Sequence, residues 1–298
     1  MATRARVFFV LAALWAASQV ALLAAPADQV VIVSLDGARP DVVLSSNTPN
    51  LRHIAANGAY TWWAQTIDPS STLPAHCSML TGCKPSKHGI TWNDKFREEA
   101  GYVRTTTCFQ LAKRARLGTA MFVAKSKLQH IAKPATVDEF QVVGGGARAV
   151  AQAAARYFAA HRPALMFVHF GDPDAAGHSK GWGSPEQRAA LEQCDKAIGV
   201  LWQGIRAAGA TRVVLIVTAD HGGHLKTHGS RDPRDMTIPW LAYGPGIIKP
   251  GEIQRQVYIY DTAATALYAL GIPFDPTWDG RPVTEIFEKS RQAAAFVP

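Results

Sequence analysis

Three short segments gather acidic and imidazole side chains. Asp36 stands in Val33-Ser-Leu-Asp-Gly-Ala-Arg-Pro-Asp41, Asp174 and His178 frame Asp174-Ala-Ala-Gly-His178, and Asp220-His221 is followed by Gly222 and Gly223. Each has an ordinary reading. An Asp before Gly is a common turn residue or helix cap, and an Asp and a His four apart share one helix face whether or not they bind anything. The third segment carries more information. A carboxylate and an imidazole followed by two glycines let the backbone close around an ion. Mixed Asp/His donors suit zinc, with manganese or iron as the alternatives. The four cysteines, Cys77, Cys83, Cys108 and Cys194, contain no Cys-x-x-Cys pair, which argues against a thiolate zinc knuckle.

A hydroxyl is placed for a different task. In Asp68-Pro-Ser-Ser-Thr-Leu-Pro-Ala-His-Cys-Ser-Met-Leu-Thr-Gly82, Thr72 takes the cap position of a short helix. Pro74 falls in its first turn, and Leu73, Cys77 and Leu80 lie on one side. A helix start of this kind is often only a cap. It also presents free N–H groups and the positive end of the dipole, which suits a phosphate. Thr72 thus stands where a hydroxyl nucleophile would be useful.

These residues need elements to position them. Val30–Leu35, Ala164–Phe170 and Arg212–Ala219 are largely apolar runs of strand length, as expected of parallel strands buried on both faces. Between them, the alanine-rich stretch 145–160 reads as helix. Leu191, Cys194, Ile198, Leu201 and Ile205 form one apolar helical stripe, and a further helix runs from Asp261 to Leu270, closed by Gly271 and Pro273. Alternating strands and helices imply an α/β fold with a doubly wound, mostly parallel sheet and helices on both faces. Each apolar run is followed within a few residues by Asp36, by Asp172, Asp174 and His178, or by Asp220 and His221. Ligands of open α/β sheets bind at the carboxyl ends of the strands, so three distant segments converge on one edge. With no repeat or long linker, residues 28–298 read as a single domain.

The first 27 residues read differently. Arg4 and Arg6 precede an apolar run from Val7 to Ala17, Ser18 and Gln19 interrupt it, and Ala25-Pro26-Ala27 offers a small-residue cleavage site. This is the pattern of a signal peptide, with a retained membrane anchor as the alternative. The expectation is export to a periplasmic or extracellular space, with no stable membrane insertion after cleavage. That setting permits disulfides, whose pairing the sequence does not give. The formal charge of +8 suits a small anionic substrate. No dense Lys/Arg run or aromatic–basic interleaving points to a nucleic-acid polymer. Lys87, Lys95, Lys125 and Lys226 fall at the rim of these motifs but read as solvated surface charges. Trp62, Trp63 and Trp92 offer either core packing or a surface for a nucleobase.

Taken in order, SLDGARPD, STLPAHCSMLTG, HGITWN, DPDAAGH, TADHGG and a later HG resemble the alkaline phosphatase superfamily, and within it the nucleotide pyrophosphatase/phosphodiesterase branch. The resemblance covers residues 29 to 250. It implies an alkaline phosphatase-like fold with two zinc ions at the strand ends. One zinc would be held by Asp36, Thr72, Asp220 and His221, the other by Asp174, His178 and a further histidine. Thr72 would attack phosphorus and form a covalent phospho-threonine, with Asn93 of HGITWN holding a phosphate oxygen. The substrate would be a small phosphate ester, with nucleotides among the candidates. A serine is expected at position 72 in the monoesterase branch, so threonine favours the diesterases.

The sequence departs from that branch at the last histidine, which in many diesterases follows an insertion. Here His228 lies seven residues after His221. Gly229 after it, and Ile238-Pro-Trp with Gly244-Pro-Gly246 further on, resemble compact superfamily members, with His224 as the competitor. Cys83-Lys-Pro-Ser-Lys87 mimics a sulfatase signature. The sulfatase nucleophile, however, lies nine residues before the closing Thr-Gly, and that count returns to Thr72. Other readings remain: a phosphomonoesterase or phosphonate hydrolase with the same site, a mutase-like transferase, which the export signal opposes, and an inactive metal-binding or ligand-binding relative.

Overall fold

The computed structural model describes residues 25–288. The expected export segment therefore lies outside the described residues except for its last three positions. Among the described residues no helix is long and apolar enough to cross a membrane.

Eight strands form one mixed sheet: β1 (Gln29–Leu35), β2 (Ala59–Gln65), β3 (Thr119–Val123), β4 (Glu139–Val142), β5 (Leu165–Phe170), β6 (Val213–Thr218), β7 (Thr237–Tyr243) and β8 (Gly251–Glu252). Their lateral order is β4-β3-β5-β1-β6-β7-β2-β8. From β4 to β6 all neighbours are parallel, whereas β7 runs antiparallel to both β6 and β2. The three apolar runs are thus the adjacent central strands β5, β1 and β6. Residues Val30 to Leu35 are 0–1% exposed, as burial on both faces requires. Leu35 pairs with Phe170, and Ser34 with Thr218, so the three strands end level and release their following loops at one edge.

The helices are α1 (Pro40–Ser45), α2 (Pro49–Asn57), α3 (Thr72–Thr81), α4 (Pro85–His88), α5 (Cys108–Arg114), α6 (Gly146–His161), α7 (Asp172–Lys180), α8 (Pro185–Ala207), α9 (Pro233–Met236) and α10 (Asp261–Ala269). They form two groups. α8 packs against α1, α2, α6 and α7, while α3, α5 and α10 pack together. Because β1 is buried on both faces and contacts α8 and α10, the groups cover opposite faces of the sheet. The expected stripe on α8 is buried along its length, from Leu191 to Ile205. Gly271, in the left-handed region at φ 67°, follows the last turn of α10 as expected of a helix-stop glycine.

α8 also organises α2. Thr48 makes no side-chain cap at the start of α2. Instead, the buried carboxylate of Asp195 accepts from Asn50 N at 3.1 Å and Leu51 N at 2.8 Å. The capping group thus comes from the neighbouring helix, and it satisfies donors a helix start otherwise leaves open. Asp195→Ala is expected to lower unfolding free energy by about 3 kcal/mol, read by urea titration, with metal binding unchanged. A loss well under 1 kcal/mol would show that α2 does not depend on this cap.

Candidate metal centre

Each of the three central strands delivers its acidic residues directly. Asp36 is the first residue after β1, and its N–H donates to Phe170 O at 2.9 Å. β5 passes through Gly171 into α7, where Asp174 occupies the first turn and His178 the next. β6 continues through Ala219 to Asp220 and His221. Gly37 N donates to Asp220 Oδ1 at 3.1 Å, tying the β1 loop to the β6 loop. The glycines after His221 are required by space. A Cβ at Gly222 would lie 2.0 Å from Arg234 O, and one at Gly223 would lie 2.1 Å from the Trp182 ring.

Two overlapping groups of donors result. In the first, His221 Nε2 lies 3.3 Å from Asp220 Oδ2 and 3.5 Å from Asp36 Oδ1, all three residues fully buried. In the second, Asp174 Oδ1 lies 3.3 Å from His178 Nε2 and 3.5 Å from His228 Nε2. His221 is close enough to share the second group as well, and its ring stacks on His228 at 3.7 Å. Of the two candidate histidines, the chain brings in His228. His224 is held away by Asp235 at 2.7 Å.

The histidine tautomers follow from their partners. Nδ1 of His178, His221 and His228 faces the carbonyl oxygens of Lys226, Gly222 and Ser70 at 3.0, 2.8 and 2.9 Å. A carbonyl only accepts, so each Nδ1 carries a hydrogen, and each ring when neutral presents a lone pair at Nε2. His178 Nε2 and His228 Nε2 are only 3.1 Å apart, an arrangement of facing lone pairs that needs a shared cation or proton between them. Five buried side-chain polar atoms among the described residues have no hydrogen-bond partner, and four are Asp36 Oδ1, Asp174 Oδ1, Asp220 Oδ2 and His221 Nε2. Buried polar atoms are ordinarily satisfied. Orphaned oxygens and nitrogens concentrated here, on histidines backed by carbonyls, fit divalent cations of the zinc class.

Lys125 is a centre residue that the sequence reading left at the rim. Its Nζ donates to Asp36 Oδ2 and Asp174 Oδ2, each at 2.6 Å, and reaches Thr72 Oγ1 at 3.4 Å. It therefore takes the carboxylate oxygens that the orphaned Oδ1 atoms leave free. Burial opposes ionisation of Asp36, but Lys125 and a hydrogen bond from His169 outweigh it and hold the carboxyl well below its usual range. Burial, and then the Asp36 charge, push Asp220 well above its usual range. One lysine is not enough cation for three buried carboxylates. The signal for Lys125 was present: it stands two residues after Val123, the end of the apolar strand β3. Lys87 instead pairs with Asp279 at 2.8 Å, away from the centre.

Thr72 is the first residue of α3 and is 1% exposed. Asn93 Oδ1 accepts from Leu73 N at 2.9 Å and from Lys127 Nζ at 3.1 Å. The Leu73 N–H fixes which end of the amide is oxygen. Neither Asn93 Nδ2 nor the Thr72 N–H has a protein partner among the described residues, so two donor groups stand open at the start of the helix. Cys83 lies past the far end of α3, and burial raises its thiol pKa, the opposite of what a thiolate nucleophile requires. Trp62 and Trp63 line a separate surface cavity of about 240 Å³ with Arg39, Leu44 and Arg234. Trp92 packs edge-on against His130 at 4.7 Å.

The family model described as type I phosphodiesterase / nucleotide pyrophosphatase matches residues 30–225. The human ectonucleotide pyrophosphatase/phosphodiesterase family member 7 is 26% identical over 281 residues, covering 80% of this chain and 60% of the relative. Human family member 5 is 28% identical over 238 residues, covering 72% and 49%. The chain thus spans less than two thirds of the length of these relatives. Among solved structures, an inactive threonine-to-alanine variant of murine ectonucleotide pyrophosphatase/phosphodiesterase 5 in complex with AMP superposes with a TM-score of 0.75. The match covers 88% of this chain and all of that one, at 16% identity, a likeness that shows the fold.

The centre carries a consequence for pH. Burial, and then His221, push the His228 imidazole from 6.5 down to about 4, with Asp174 opposing only in part. The folded chain therefore resists a proton that the unfolded chain accepts. Metal-free stability is full above the unfolded value and is lost as pH falls towards the folded one, by up to about 3 kcal/mol. His228→Gln is expected to flatten this part of the stability–pH curve, measured by urea unfolding in chelator between about pH 7 and pH 4. An unchanged slope would remove His228 as its source.

Proposed function

Because the chain belongs to the type I phosphodiesterase / nucleotide pyrophosphatase family, we propose that it is a metal-dependent phosphoester hydrolase acting through Thr72. The observation that carries this reading is the convergence of four orphaned donor atoms with Lys125, whose ammonium reaches Thr72 Oγ1. Asp36, Asp220 and His221, with Thr72, would hold one zinc, and Asp174, His178 and His228 the other, with manganese or iron as alternatives. Bound there, the metals supply the positive charge that makes a threonine hydroxyl and a water nucleophilic at neutral pH and steadies a leaving oxygen. Residues 28–298 would form the catalytic domain, and residues 1–27 would direct export.

The protein's own groups define the rest. Thr72 Oγ1 forms the new bond to phosphorus as the ester oxygen departs, the hydroxyl proton leaving to solvent and the released oxygen ending as an alcohol. Phospho-Thr72 is left for water to cleave to the free phosphate product and the threonine hydroxyl. The open Thr72 N–H and Asn93 Nδ2 hold non-bridging oxygens as charge develops on them. Lys127 and the Leu73 N–H keep the amide in that orientation through Oδ1. Lys125 spends two N–H groups on carboxylates at 2.6 Å and has its third on Thr72 Oγ1 at a loose 3.4 Å, so an incoming phosphoryl oxygen can take that donor. A nucleotide substrate is consistent with the family's name and with the AMP-bound murine relative.

Lys125 also supports a second reading of the same site. Two divalent metals would balance Asp36, Asp174, Asp220 and an ionised Thr72, and the lysine would then leave one positive charge over. That surplus suits a dianionic phosphate monoester or phosphonate as well as a singly charged diester.

Hydrolysis of bis-nitrophenyl phosphate and nitrophenyl phosphate, before and after chelation, tests both readings. Activity should vanish with chelator and return with zinc. Thr72→Ala should lower kcat by about a thousandfold or more while AMP binding survives, and turnover that persists in that variant would sink the nucleophile assignment. Lys125→Met should lower kcat/KM for the monoester about tenfold more than for the diester. Equal losses would restrict Lys125 to holding the carboxylates.

A further inference from the structure

A histidine outside both donor groups touches the centre from beneath. His169 is fully buried near the end of β5, opposite Ser34 of β1. The backbone N–H of Ala124 donates to its Nδ1 at 3.2 Å. Since a backbone N–H can only donate, Nδ1 is bare and the ring hydrogen sits on Nε2. Nε2 lies 2.8 Å from Asp36 Oδ2 and therefore donates to it. The same oxygen accepts from Lys125 at 2.6 Å. Two donors on Oδ2 fix the rotation of the carboxylate and leave Oδ1 as the orphan beside His221 and Asp220. His76 closes over the ring edge-on at 5.0 Å. Its own Nδ1 is bonded to Thr72 O at 2.7 Å and its Nε2 to Ser34 Oγ at 2.8 Å, so the imidazole above His169 is pinned as well.

We infer that His169 is the positioning residue of Asp36: by donating Nε2–H to Oδ2 in a tautomer fixed by Ala124, it aims Oδ1 at the cation position of the Asp36–Asp220–His221 group and sets the affinity of that group. The inference rests on the metal reading of those three residues. Hydrogen bonds of this kind hold a ligand's orientation and raise its basicity, and their loss costs metal affinity. Lys125 does not replace the histidine, because one ammonium is shared between Asp36 and Asp174 and cannot fix the plane of either carboxylate alone.

Amide substitutions separate the two faces of the ring. His169→Asn places an acceptor near the position of Nδ1 and so retains the contact with Ala124, but supplies no donor to Asp36. His169→Gln places an amide N–H near the position of Nε2 and does the reverse. His169→Phe removes both. Zinc affinity is measured on the full chain, without substrate, by competition with a chromophoric chelator. His169→Gln should stay within about threefold of wild type, whereas Asn and Phe should weaken one of two zinc ions by about 10- to 100-fold and leave the other unchanged. Retention in Asn with loss in Gln would overturn the inference, since the histidine would then serve only to staple β5 to β3. Wild-type affinity in all three variants would overturn it too. If the wild-type protein binds no zinc, the metal reading fails, and nitrogen NMR of the metal-free imidazole decides the arrangement. A protonated Nε2 with bare Nδ1 supports it, and the reversed tautomer contradicts it.

Discussion

Three carboxylates buried at one sheet edge set the terms for everything around them. Asp36, Asp174 and Asp220 are each at most 4% exposed, and charges taken out of water need compensation close by. Lys125 reaches two of them and leaves the third with its pKa well above the normal range. Burial holds the imidazoles of His221 and His228 towards the neutral form, so they do not supply the deficit. The arrangement is stable and useful when positive charge is added at the orphaned oxygens. The same added charge would make a threonine hydroxyl reactive, which links the cost of burying the carboxylates to the proposed chemistry.

The fold makes this concentration of charge affordable by locating it where strands end. β5, β1 and β6 are largely apolar because both of their faces are covered, and they finish level because their parallel register is shared. Three polar segments thus meet without any of them interrupting the core. α3 brings the proposed nucleophile in from the side, and Thr72 sits in its first turn because the preceding backbone is extended and cannot continue the helix. His221 Nε2 lies within reach of both donor groups, so the division into two ligand sets implied by family resemblance is less sharp in the geometry than in the motifs.

Most of this was legible in the residues. The central strands, the stripe on α8 and the C-terminal helix are strongly periodic or strongly apolar, and the structure has them within a residue or two of the expected bounds. The sequence pattern brings out only three of the eight strands; in β2 it is blurred by a bulge between Thr61 and Ala64, and in β7 by Pro239. The sheet is mostly parallel as expected, with β7 running against its neighbours β6 and β2. In the site, Asp36, Asp174, His178, Asp220, His221 and His228 all converge, and Asn93 lies beside Thr72. Lys125 and His169 escaped because a lone Lys after a strand and a lone His within one look like a surface charge and a core residue. Only the third dimension shows that both end on the same oxygen of Asp36.

The central claim is that Thr72 Oγ1 becomes bonded to phosphorus. Rapid acid quenching during turnover of a nitrophenyl phosphate ester, followed by peptide mass spectrometry, tests it directly. The account predicts a phosphoryl adduct on Thr72 that forms on mixing and disappears once substrate is exhausted. Steady turnover with no adduct, or an adduct on another residue, would contradict it.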